Sequence, residues 1–540
     1  DRDQVEHTTA NAWDDFVETI PDLYFPKPTY GVNLRRSALA AVLHADAEYG
    51  AIASGFDRGL SAYCWPRDAI AIGGAMERVG QSAIGHGVYR WLDKVREKHS
   101  DFRYWFQKYS IDGFPEWETP AVDQTAIIPW GLELHYRRTG DLELVKSVWS
   151  MVEDAAAVCC GDSGGHPGMR MLEDLNLITS AGSRDQLFGA FLYSNAAVVA
   201  GLRSAARLAS ELDKPELAKA WRCCADRIWN QGILKESHSG HPEKPGMFDV
   251  ETGRFLQARR FSRLVGIWSD RPERLVDRSS LLDITALGLA VPFGLLPASD
   301  PRLIRTADQI IQANDDLKGD RNILAKSCYD PTSPNRGGSS GDQYDVASVA
   351  TFWMIRYLIQ LGRETGQGRR WARAASFLDG ILGRLSSLGL TLRPIMQGWE
   401  STLGIAIPGG TYARLHSMLI ETLLDFAGIE YDAVDRRLVL KPVLPSQWPR
   451  IGSKQNLGCG EVSYQFERPI GGKIHKLSVQ CELHQPATLD IRLTCPDLVE
   501  LGPWQSTPDT PEPPFDPAAR QLDWSINLPA GQSSWNWTWG

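Results

Sequence analysis

The sequence predicts a mainly α-helical protein, an (α/α)6 toroid followed by a small C-terminal antiparallel β-sandwich. Two observations predict it. Between about residues 35 and 430, apolar residues recur at i, i+3, i+4 spacing in about twelve segments, many paired and separated by long loops. After Phe426 that period gives way to short alternating or β-branched runs with Gly and Pro between them. A length of 540 residues allows one large and one small domain, at roughly 100–200 residues each.

The predicted helices are 36–49, 69–79, 83–97, 125–138, 142–159, 193–211, 215–230, 282–290, 301–314, 346–361, 370–385 and 412–426. The loops at 54–68, 110–123, 162–186, 235–270, 329–345 and 391–410 hold most of the Gly, Pro, Trp and acidic residues. Helical pairs joined by polar, aromatic loops suit a toroid whose inner helices aim their ends at one shared cavity. Strands are predicted at 437–441, 461–466, 476–480 and 487–493, with closing strands at 522–528 and 534–539 and a Pro-rich loop over 497–520. The chain therefore divides into an N-terminal extension (1–34), the helical domain (35–428) and the sandwich (429–540).

Composition narrows the partners. A net charge of −9 and a pI near 5.7 argue against nucleic acid, whose binders carry basic patches. The longest apolar stretches, such as 284–296, fall short of the ~20 residues that span a bilayer, so no membrane partner is expected. The protein therefore reads as soluble; the chain opens at Asp1 with no hydrophobic leader, so any signal segment has been removed or never existed, and secreted and cytoplasmic locations both stay open, as does the oligomeric state. Nine cysteines without CxxC spacing read as small buried hydrophobes, with disulfides open at Cys459, Cys481 and Cys495. His238 and His241 lack a third clustered ligand and read as a surface loop; no metal or cofactor is expected. Tryptophan, at nineteen residues, is two to three times the roughly 1–1.5% of an average chain, and flat rings are what stack on sugar C–H faces.

The sharpest motif is Tyr63-Cys64-Trp65-Pro66-Arg67-Asp68. The guanidinium donates in a planar fork and the carboxylate accepts, so Arg67 and Asp68 match two neighbouring sugar hydroxyls while Trp65 offers a stacking face. The competing reading makes Asp68 a helix N-cap and Arg67 a surface residue.

With Arg36-Ser37-Ala38-Leu39 and Tyr49-Gly50-Ala51-Ile52-Ala53 ahead of it, this loop resembles the entry to the catalytic domain of glycoside hydrolase family 15, the glucoamylases, glucodextranases and isomaltose glucohydrolases. Asp112-Gly113, Pro115-Glu116-Trp117-Glu118, Asp123-Gln124-Thr125-Ala126, Leu282-Asp283-Ile284-Thr285-Ala286 and Phe352-Trp353 follow in the same order, over about residues 35–425. The resemblance implies an exo-acting inverting hydrolase with two carboxylates, one protonating the leaving oxygen and one activating water. Glu173 matches the acid position, although the family's preceding Trp is Leu172 here; Asp174 is the fallback. The family's base follows a Gly-Leu segment, but at that offset from Gly389 stand Leu392 and Arg393. Glu400, beside Trp399, is the only acid between Gly380 and Glu421 and is the candidate base, with Asp330, Asp342 and Asp345 as alternatives.

The sequence thus predicts hydrolysis of a terminal α-glucosidic bond in a small oligosaccharide. Trp65, Arg67, Asp68, Glu116, Trp117, Asp123 and Trp399 bind the sugar, and Glu173 and Glu400 act as acid and base. Family 15 members from bacteria commonly place a β-sandwich before the toroid, whereas here it follows, an order similar to α-L-rhamnosidases. An (α/α)6 glycosidase or lyase acting on a rhamnoside or a uronic acid is the alternative. A non-catalytic carbohydrate-binding protein that has lost its base is a third reading.

Overall fold

The computed structural model describes the chain apart from residues 1, 56–62, 99–101, 163–167, 182–187, 240–245, 261–276, 280–281, 317–323, 325–326, 329–347, 384, 386–412, 469–473 and 509. Its helices are α1 (Arg2–Thr19), α2 (Thr29–Val42), α3 (Pro66–Glu77), α4 (Ser82–Lys98), α5 (Val122–Thr139), α6 (Leu142–Ser147), α7 (Trp149–Cys159), α8 (Leu192–Glu211), α9 (Pro215–Arg227), α10 (Pro301–Asp316), α11 (Ser348–Thr365), α12 (Gly368–Leu382) and α13 (Ala413–Ala427). The inner elements form a circuit. Helix α3 packs on α5, α5 on α8, α8 on the 3-10 segment Ile284–Leu289, that segment on α11, α11 on α13, and α13 returns to α3. Helices α2, α4, α7, α9, α10 and α12 pack against this circuit from outside.

Close approach needs small residues at specific points. A Cβ on Gly201 of α8 would sit 2.1 Å from the Ala126 carbonyl oxygen of α5, so glycine there lets the two backbones meet. Inner helix α5 is buried over most of its length, with the polar side chains of Asp123, Gln124, Glu133 and His135 among its buried residues.

Several predicted elements differ in detail. The helix expected at 36–49 begins earlier, at Thr29, and a further helix, α1, precedes it. The stretch 142–159 breaks at Val148 into α6 and α7. The predicted helix at 282–290 is a short 3-10 turn. Asp283 caps it by accepting from the Thr285 N–H at 2.8 Å, and Pro292, lacking an N–H, cannot extend it. Among the described residues no helix is long and apolar enough to cross a membrane.

The C-terminal part forms two sheets. One orders strands Asp22–Leu23, Arg450–Leu457, Gly460–Glu467, His475–Leu483, Gly531–Trp539 and Gln505–Thr507; the other orders Ile429–Asp432, Arg437–Leu440, Ala487–Thr494, Gln521–Leu528 and Phe515–Asp516. Buried and part-exposed residues alternate along Gly460–Glu467, the pattern of a strand with one face on a core. Strand Arg450–Leu457 was not legible in the sequence, and the expected loop 497–520 carries two short strands. The pairing of Arg437–Leu440 with Ala487–Thr494 is parallel, the one departure from antiparallel order among these two sheets. Cys459, Cys481 and Cys495 are buried free thiols.

The tryptophan excess goes largely into cores. Trp91, Trp105, Trp371, Trp537 and Trp539 are fully buried, and Trp504, Trp524 and Trp537 pack edge-to-face or tilted within the sandwich. Much of the tryptophan count thus serves packing.

Candidate functional site

The N-terminal ends of the inner elements meet at one end of the circuit. Helix α3 starts with Pro66 at its first position, where a missing N–H costs nothing. Trp65 is the flanking residue, and it makes no side-chain cap bond. Asp68 is thus inside the first turn and is not the N-cap. Its carboxylate accepts from the Ser54 hydroxyl at 3.1 Å. Ser54 is held in turn by α13, since the Ala413 N–H donates to the Ser54 carbonyl at 2.9 Å.

Arg67 crosses to the start of α5. Its Nη1 donates to Asp123 Oδ2 at 2.5 Å and its backbone N–H to Gln124 Oε1 at 2.9 Å. Asp68 lies on its other side, with Nε and Oδ1 4.0 Å apart. The Ser194 hydroxyl, at the start of α8, donates to the second oxygen of Asp123 at 3.4 Å. Burial works against the Arg67 charge, and Asp123 and Asp68 outweigh it, so the guanidinium stays ionised. Beside it Tyr193 is half-buried, and loss of solvent pushes its phenol up to about 12. Tyr193 meets Trp353 edge-on with ring centres 5.6 Å apart and Phe293 at 5.3 Å, an aromatic floor beneath the charged groups.

The backbone also brings the second acidic motif alongside. Cys64 and Tyr109 exchange N–H···O bonds of 2.8 and 2.9 Å, and Phe106–Tyr109 pairs with Pro115–Pro120. Glu116 therefore lies on a strand stitched to the Trp65 loop, with its side chain exposed. Trp117 shares that strand, opposite Lys108, but its side chain lies outside the described residues.

Glu173 sits on the turn between Met171–Leu172 and Leu177–Ile178. The Asn195 side chain fastens this hairpin to α8, accepting from the Ile178 N–H at 2.8 Å and donating to its carbonyl at 3.0 Å. The Glu173 carboxylate is 75% exposed and faces Arg227 Nη1, 3.6 Å away at the end of the outer helix α9. Asp174 is exposed as well. Glu400, Trp399, Asp330, Asp342 and Asp345 lie outside the described residues. The structure thus gathers Arg67, Asp68 and Asp123 into one cluster, with Trp65 just ahead of α3 and Glu116 on the strand paired beside that loop.

Three supporting residues were missed in the sequence. Gln124 carried a signal, since it follows Asp123 within a quoted motif; Ser54 and Ser194 carried none, because only folding places a small hydroxyl beside a particular carboxylate.

No family model matches the chain. An uncharacterized glycosyl hydrolase of Methanocaldococcus jannaschii is 25% identical over 316 residues, which cover 58% of this chain and 45% of that protein. The chain thus spans less than half the length of this curated relative. Among solved structures, a glycosidase aligns with a TM-score of 0.52 at 15% identity over 74% of this chain and 96% of its own. An α-L-rhamnosidase from Dictyoglumus thermophilum aligns with a TM-score of 0.57 at 11% identity over 96% of this chain and 50% of its own. At these identities the likeness to the solved structures is one of fold.

Proposed function

We propose that the helical region is an (α/α)6 toroid and that the chain is an exo-acting, inverting glycoside hydrolase cleaving a terminal α-glucosidic bond of a small oligosaccharide. The observation that carries this reading is the Arg67–Asp68–Asp123 cluster above an aromatic floor, where the inner helices start. Helix N-termini carry partial positive charge, which favours bound anions and polarised hydroxyl oxygens. In this reading Arg67 and Asp68 take adjacent hydroxyls of the terminal sugar, Asp123 orients Arg67, and Trp65, Glu116, Trp117 and Trp399 line the approach. The name of the Methanocaldococcus jannaschii relative supports the glycosyl hydrolase part of this reading.

Glu173 is the proposed acid and Glu400 the proposed base, with water attacking from the face opposite the leaving group. An acid needs a raised pKa, and burial is the usual cause. Glu173 is 75% exposed beside Arg227, so in this reading bound substrate covers the carboxylate and displaces Arg227.

A second reading rests on architecture. A match covering 96% of the chain has to take in the C-terminal sandwich, and it is the rhamnosidase that matches so widely. Incubation with maltose, isomaltose, trehalose and aryl rhamnosides separates the two. Release of β-glucose first, seen by proton NMR before mutarotation, supports the main reading. Rhamnose release moves the assignment to the second, and sugar binding without any release overturns both in favour of a binding protein.

A further inference from the structure

At the opposite end of the helical circuit, three elements bring together residues that the sugar site does not use. His86 lies in the second turn of α4, His135 near the end of α5, and Asp141 caps α6. One donor atom from each lies within 4.8 Å of the other two. His86 Nδ1 and Asp141 Oδ2 are 3.1 Å apart.

Each side chain is oriented by a second partner. His135 Nδ1 meets Glu77 Oε1 at 2.7 Å, and Glu77 Oε2 accepts from Arg138 Nη1 at 2.9 Å. A carboxylate paired with a guanidinium accepts only, so the imidazole proton sits on Nδ1 and the lone pair on Nε2. That Nε2 is buried in a side chain only 1% exposed and has no hydrogen-bond partner among the described residues. Asp141 uses Oδ1 to accept from the Leu144 N–H at 2.9 Å, which leaves Oδ2 to the cluster. The Glu77 contact has its own accommodation. A Cβ on Gly85 would fall 1.9 Å from Glu77 Oε1, so glycine in α4 makes room for that carboxylate.

From this geometry we propose that His86, His135 and Asp141 bind one divalent transition-metal ion of the zinc type. Two imidazoles and one carboxylate suit zinc, cobalt or nickel; magnesium and calcium favour all-oxygen sets. Donors of a tetrahedral zinc site stand about 3.4 Å apart, so the present spacing closes with small side-chain movements. The carboxylate–histidine–metal relay is supplied by Glu77 through His135. A buried histidine paired with a glutamate accounts for Nδ1 alone; a metal accounts for the lone pair as well. His86 and Asp141, 38% and 31% exposed, leave an entry path and the fourth position for water. On binding, the ion replaces the hydrogen bond between His86 Nδ1 and Asp141 Oδ2, and it joins the α3–α4 pair to the turn between α5 and α6.

The full chain, stripped with EDTA and dialysed, is titrated with zinc chloride by calorimetry, and its thermal unfolding is followed with and without the ion. The expected result is a micromolar or tighter site whose loss in His86→Ala and in Asp141→Asn removes one ion per chain and the accompanying rise in Tm. Both side chains are partly exposed, and Asn preserves the helix cap, so these variants keep the fold. Glu77→Gln should weaken the site by about 10–100-fold, the usual effect of removing a partner of a ligating histidine. Cobalt(II) should give a tetrahedral visible spectrum that His86→Ala abolishes. An unchanged stoichiometry in His86→Ala, or neither heat nor a Tm shift at micromolar zinc, overturns the proposal.

Discussion

The two ends of the helical circuit use their charged groups differently. At the C-terminal ends of the inner helices, Arg356 meets Asp425 at 2.6 Å and Glu421 at 2.8 Å, while Arg78 holds the other oxygen of Asp425 at 2.8 Å. Arg363 donates to the Asp425 and Lys441 carbonyls at 2.6 and 2.7 Å, linking α11 to the start of the sandwich. Burial disfavours the Asp425 charge, but Arg356 and Arg78 outweigh it and hold the carboxyl well below the usual range. At the N-terminal end, Arg67 has Asp123 close and Asp68 at 4.0 Å, and the cluster sits where loops converge. Closed charge networks fix one packing; a cation shared unevenly between carboxylates keeps bonding capacity for a ligand's hydroxyls. Binding therefore belongs to the end with spare bonding capacity, and stability to the end with closed networks.

The largest effect belongs to the sugar end. Arg67→Ala should lower kcat/KM by about 100-fold or more in steady-state assays, because losing the group that positions a substrate costs on that scale. The Arg67→Lys variant should recover little, since a point charge cannot replace a fork between Asp68 and Asp123. Activity near wild type in both variants would remove this end as the binding site.

The next effect belongs to the far end. Arg356→Met leaves Glu421 and half of the Asp425 interactions uncompensated in a buried setting, and should cost about 3 kcal/mol in urea unfolding. Michaelis constants for the surviving folded protein should hardly move.

A third prediction uses pH. His44, at the end of α2, and His416, on α13, are buried and their pKa values are lowered from 6.5 to about 4. Burial is the first cause in both; His44 opposes the charge on His416, while the Ala53 carbonyl partly favours it on His44. The unfolded chain binds protons at these sites before the folded one does. Stability from neutral imidazoles is therefore intact above about pH 6.5 and is lost as pH falls toward 4, by about 2 kcal/mol at most per imidazole at pH 5. Urea titrations at pH 7 and pH 5 measure it, and His416→Gln should flatten the slope. An unchanged slope would mean that other groups set the acid limit.

The smallest effect sharpens the comparison. Arg137 bridges Asp432 and Asp435 at 3.1 and 2.8 Å between α5 and the sandwich, but the pairs are partly exposed. Arg137→Ala should cost less than about 1 kcal/mol, since solvent screens such pairs. A loss as large as that of Arg356→Met would show that burial does not set the worth of these pairs.

By itself the sequence determined what repeats locally. Apolar periodicity marked most of the helices, and alternation marked most strands of the sandwich, because both signals lie within one element. The sugar-site loop was legible for the same reason: Trp65, Pro66, Arg67 and Asp68 are contiguous and precede a helix. Only the tertiary structure decided that Asp68 takes Ser54 rather than capping α3, and that Arg67 reaches Asp123, 56 residues on. It also decided that Glu173 faces Arg227 on an outer helix, and that Trp91, Trp105, Trp371, Trp537 and Trp539 fill cores rather than line a sugar site. The sequence assigned no metal, because His86, His135 and Asp141 follow no ligand spacing. They meet because α4 and α5 pack side by side and Gly85 admits Glu77 between them. Local chemistry is written in the order of residues; which distant side chains share a site depends on how helices pack, and packing depends on the whole surface of each element at once.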